Sequence, residues 1–128
     1  MPSLNFEPQF VPAVESGEKR QTIRARRKRA WLVGDTLHLF AGQRLSTCRK
    51  LGEATLLSVR AITIDTEERC IYLEGSLSDT GRGSGMFMQS DAEALRLAKD
   101  DGFASLDDFF DFFEARHSSC FHGHLLKW

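Results

Sequence analysis

From Phe10 to Gly17 the apolar residues Phe10, Val11 and Val14 fall at helical spacing, and Gly17 supplies the positive φ that a helix C-terminus uses. The spacing predicts a short helix ending there. The β-branched pair Thr22-Ile23 follows, so the chain turns and enters a strand, with Lys19 and Thr22 at the junction. Gly34-Asp35 is a turn ahead of the strand-like Thr36-Leu37-His38-Leu39-Phe40. Leu51 to Ile64 is rich in Leu, Val, Ile and Thr, and in its second half Val59, Ala61 and either Thr63 or Ile64 allow the alternation of a long strand, with Cys70-Ile71-Tyr72-Leu73 as its hairpin partner.

Glycine and serine dominate Gly75 to Gly85, which predicts a surface loop. Ser90, followed by Asp91 and Glu93, is an N-cap signal for a helix running to about Asp100 and stopped by Gly102. Ser105 repeats the signal before Phe109, Phe110, Phe112 and Phe113, which supply a broad apolar face. The tail from Phe121 to Trp128 lacks helix signals and reads as a closing strand. This order lacks the regular alternation of a doubly wound sheet, and predicts an α+β fold, a small mixed β-barrel with flanking helices.

Composition narrows the class. The 128 residues fit one domain spanning 1–128, and 41% hydrophobic with 27% charged residues is ordinary for a globular chain. The apolar runs are too short to cross a bilayer, and the opening MPSLNFEPQF lacks the pattern of a secretory signal, so a cytoplasmic location and no membrane partner are expected. Cys48, Cys70 and Cys120 are three, irregularly spaced, and are expected as free thiols.

Charge is segregated although the net formal charge is only −1. Lys19, Arg20, Arg24, Arg26, Arg27, Lys28 and Arg29 fall within eleven residues without an acid, whereas Asp91 to Glu114 holds eight acids. The basic stretch from Arg24 to Arg29 has the sign and density to hold phosphates. It is equally the composition of a solvated loop neutralised by the acidic helices. Trp31 can stack on an unpaired base, although its neighbours Leu32 and Val33 favour a core role. Arg82, in the glycine-rich stretch, is a further candidate for phosphate contact. Cys120, His122 and His124 share one strand face, but their spacing and the lack of a paired cysteine motif make neither a metal site nor a cofactor an expectation.

Three segments, Ser16-Gly17-Glu18-Lys19-Arg20-Gln21-Thr22-Ile23-Arg24, Gly34-Asp35 and Ala98-Lys99-Asp100-Asp101-Gly102-Phe103, give the chain a resemblance to the ASCH domains from about Phe10 to Trp128. The resemblance implies a PUA-like β-barrel with a cleft like that of RNA-binding relatives. It also implies a possible activity, since some ASCH proteins resemble amidohydrolases that deacylate N4-acetylcytidine, and others nucleases that cut RNA. In the hydrolase-like members a threonine, a lysine and a glutamate do the chemistry. The first two fall on Thr22 and Lys19, and the acid falls on Asp101, one methylene shorter, with Asp100 as its neighbour.

The physics of these residues taken alone agrees, because a lysine beside a threonine hydroxyl in a cleft can accept the hydroxyl proton. The same two residues can simply finish a helix and start a strand. The leading expectation is therefore an RNA- or nucleotide-binding module using Arg24, Arg26, Arg27, Lys28, Arg29 and Arg82. The alternatives are an enzyme using Lys19, Thr22 and Asp101 on an acylated nucleoside, a ribonuclease-like protein, and an adaptor docking on an acidic protein surface.

Overall fold

A computed structural model describes residues 3–42, 46, 48–75, 85–117 and 119–128, and among the described residues are eight strands, three α-helices and a 3-10 turn. In chain order they are β1 (Ser3–Phe6), the 3-10 turn Pro8–Phe10, α1 (Val11–Ser16), β2 (Gln21–Ala25), β3 (Thr36–Ala41), β4 (Arg49–Thr55), β5 (Ser58–Asp65), β6 (Cys70–Glu74), β7 (Met86–Met88), α2 (Asp91–Asp100), α3 (Leu106–His117) and β8 (Cys120–Lys127).

The local signals act as the physics requires. Gly17 ends α1 in the left-handed conformation, at φ +83°. Ser90 and Glu93 form a reciprocal capping box at the start of α2. The Ser105 hydroxyl accepts from the Asp108 N–H at 3.1 Å, capping α3.

The strands form two sheets, β1-β3-β4 and β2-β8-β5-β6-β7. This is an α+β fold, and among the described residues no ladder joins the two sheets into the closed barrel expected from the sequence. The segment Leu51 to Ile64 is divided between the sheets: its second half forms β5, which pairs with β6 as expected, and its first half belongs to β4. Leu56 is fully buried and its N–H donates to Asp35, while the next N–H, of Leu57, donates to Lys127. The chain therefore changes sheets at Leu56-Leu57, and the adjacent leucines conceal the corner. β1, pairing in parallel with β3, was not expected either.

The core has two parts. One lies between the five-stranded sheet and the helices α2 and α3, and contains Ile62, Ile64, Ile71, Phe109, Phe113, Phe121 and Leu125. The other gathers Leu4, Phe6, Phe10, Val14, Leu37, Leu39 and Leu56 against Leu126. Phe103 and Phe112 pack on both. The closing strand β8 is interior to its sheet, paired with β2 on one side and β5 on the other. It thereby fixes β2, whose outer edge has no strand partner among the described residues.

Candidate functional site

The outer edge of β2 opens on a cleft of about 470 Å³ between the β1–α1 segment and the C-terminal half of α3. Lys19, Thr22, Arg24 and Asp101 line it, together with Phe6, Phe10, Phe112, Arg116 and His117. The N–H of Trp128 donates to the carbonyl of Arg20, so the strand alternation turns the peptide groups of Thr22 and Arg24 toward β8 and those of Ile23 and Ala25 toward the cleft. The cleft thus offers backbone donors and acceptors along one wall and aromatic surface along the others.

Lys19 and Asp101 come together from opposite ends of the chain. The Gly17 turn delivers Lys19 inward, and the end of α2 delivers Asp101, which leaves the two 3% and 5% exposed. The ammonium lies 3.2 Å from Asp101 Oδ1 and also donates to the Asp101 carbonyl. Gln21 Nε2 donates to Leu97 O at 3.1 Å and to Asp101 Oδ1 at 3.4 Å, a second support for the carboxylate that sequence reasoning missed. Burial lowers the Lys19 pKa below the lysine range and raises that of Asp101, while their mutual attraction opposes both shifts. Asp100 is exposed and lines a different side of the molecule, so Asp101 is the acid that faces Lys19.

Thr22 is 5% exposed, and its hydroxyl oxygen accepts from Arg24 Nε at 3.2 Å. A hydroxyl has two lone pairs and one proton, so this contact leaves its proton free to be donated. Arg24 is anchored further by a 2.9 Å bond to Asn5 O and by its position over the Phe6 ring, 5.1 Å from the centroid. Arg116 reaches the cleft from α3, stacks on Phe112 at 3.8 Å and pairs with Glu7 at 2.9 Å. Arg116 and Glu7 were not among the expected site residues. A ladder of α3 charges gives no sign of which one meets a segment more than a hundred residues earlier.

The remaining basic candidates lie elsewhere. Arg26, Lys28 and Arg29 are exposed on the segment after β2 and are absent from the cleft lining. Arg27 covers the Trp31 ring at 3.5 Å, and Arg27 Nε and Trp31 Nε1 are both buried without a hydrogen bond among the described residues. Trp31 packs on the second core cluster, whereas its neighbours Leu32 and Val33 are exposed. Arg82 lies outside the described residues.

Cys48, Cys70 and Cys120 are free thiols. Among the described residues no helix is long and apolar enough to cross a membrane, and no group of three metal-binding side chains converges. Comparison with protein-family models, with curated proteins and with solved structures yields no match to this chain.

Proposed function

We propose that the chain is a PUA-like domain of the ASCH type whose cleft binds a segment of single-stranded RNA or a modified nucleotide. The observation that carries this reading is the cleft itself, where Lys19, Arg24 and Arg116 share one space with Phe6, Phe10 and Phe112 beside the unpaired edge of β2. A nucleotide needs these three features together. Cations answer the phosphate, rings stack on the base, and peptide groups read its polar edge. Arg116 is the mobile partner, because its exposed bond to Glu7 is worth only about 0–1 kcal/mol and yields readily to a phosphate.

Titration of a short single-stranded RNA tests the reading. Binding should weaken with salt, with a log–log slope of roughly −0.7 for each phosphate contacted. Arg116→Ala should reduce both affinity and slope, and a wild type that binds at no salt concentration ends the proposal. The three free thiols favour a reducing compartment such as the cytoplasm.

A second reading is favoured by one specific observation, the convergence of Thr22, Lys19 and Asp101 in that same cleft. As an amidohydrolase, the protein would use the Thr22 hydroxyl to attack the acyl carbon of an N-acylated nucleobase, with a neutral Lys19 accepting the hydroxyl proton and passing it to the departing amine. Water would then release the acyl group from Thr22. Release of cytidine from N4-acetylcytidine, abolished by Lys19→Ala and by Thr22→Ala, is the expected result for this reading. Its absence in the wild type leaves binding alone.

A further inference from the structure

Helices α2 and α3 pack on only one face of the five-stranded sheet, and the register of the ladders defines what the other face carries. Cross-strand partners project to the same side. Arg24 pairs with His124, His122 with Thr63, Thr63 with Tyr72, and Tyr72 with Met88. Their neighbours in sequence, Phe121, Leu125, Ile62, Ile64, Ile71 and Leu73, belong to the core beneath the helices. The second core cluster covers this other face only near Leu126 and Val59. Further along the strands it is open. Met88 is 64% exposed, His122 and Cys120 are exposed, and Tyr72 is half-buried.

Two properties make this face more than bare sheet. The His122 ring is held by Thr63, with Nδ1 3.0 Å from the hydroxyl, and lies two strand spacings, roughly 10 Å, from Tyr72. The register thus places the two ring-bearing residues in one row across β8, β5 and β6. The charge complement lies at one end of that row. β2 ends at Ala25, opposite Gly123, so the chain leaves the sheet beside His122 and enters the exposed Arg26, Lys28 and Arg29. The acids of this face, Asp65 and Glu74, already accept backbone N–H groups, of Glu67 and Glu68 and of Ala61 respectively.

We infer that a single-stranded RNA bound at the cleft continues past Arg24 onto this open face, with its bases stacking on His122 and Tyr72 and its phosphates held by Arg26, Lys28 and Arg29. Exposed rings on a sheet flanked by cations are the means by which sheet platforms hold unpaired bases. The inference rests on the cleft-binding reading and adds to it a length requirement and a path.

The test compares octauridylate with diuridylate by equilibrium titration, using wild type and the Tyr72→Ala/His122→Ala double variant. Alkylation of Cys120 in the wild type by iodoacetamide, with exposed Cys48 as reference, gives a readout that needs no variant. Octauridylate should bind the wild type at least tenfold more tightly than diuridylate and should slow alkylation of Cys120 selectively. The double variant should lose roughly tenfold or more in octauridylate affinity, since base stacking on an aromatic ring is worth about that per base, and keep its diuridylate affinity. Equal affinities for the two RNAs, or tight octauridylate binding with unprotected Cys120, overturn the path across the sheet and leave the cleft reading standing. Failure of the wild type to bind either RNA overturns both.

Discussion

Lys19 and Asp101 each face a low-dielectric surrounding, and the pair survives because each ion answers the other. Removing one partner from such a pair costs about 3–5 kcal/mol, since the other is left buried and uncompensated. Asp101→Asn should therefore be strongly destabilised near neutral pH, as read by urea denaturation. The pH dependence has a definite sign. Without Asp101, the attraction that raises the Lys19 pKa is gone and burial lowers it further. An unfolded lysine titrates near about 10.4, so between the folded and unfolded values the unfolded chain binds more protons and stability rises with pH. The deficit of Asp101→Asn should thus shrink as pH rises toward the ordinary lysine value, and a deficit that stays constant would contradict a buried ammonium. Should the chain act as a deacylase, its rate should rise with pH through an apparent pKa below the ordinary lysine range, because neutral Lys19 is the base.

β8 sets the position of the cleft, although nothing in its sequence marks it as an interior strand. Gly123 is the reason it fits. A Cβ there would strike the Arg24 carbonyl and the Phe121 ring, which approaches the added atom to 2.7 Å. Gly123→Ala should cost about 1–3 kcal/mol as an overpacked site and should weaken cleft ligands by shifting β2. A variant with unchanged stability and binding would show that β8 does not hold that edge. Features settled within a few residues were legible in the sequence: the caps at Ser90 and Ser105, the Gly17 turn, and the Lys19-x-x-Thr22 junction with Asp101 at the end of a helix. The corner at Leu56-Leu57 was hidden because both leucines read as strand residues, although only Leu56 is buried and Leu57 is exposed. The parallel pairing of β1 with β3, and the meeting of Arg116 with Glu7, depend on contacts between distant segments that no local pattern encodes.

Over the whole molecule, the segregation of charge becomes a division of surfaces. The acids of α3 do not simply neutralise the basic stretch. Asp107, Asp111 and Glu114 converge on Arg69 from the β5–β6 turn, with Asp111 at 2.8 Å. On the proposed reading the exposed cations after β2 meet an anionic partner, so affinity for single-stranded RNA should fall steeply as salt is raised although the chain carries a net charge of only −1. An affinity that is insensitive to salt would favour a neutral nucleoside in the cleft. The central claim, that the cleft beside β2 is where a nucleotide sits, is tested most directly by mapping amide chemical-shift changes in isotope-labelled protein during titration with a short single-stranded RNA. Changes concentrated at Ile23, Ala25, Arg116 and His117 are the predicted result; changes confined to the opposite side, around Arg60 and Arg96, or none at saturating RNA, would contradict it.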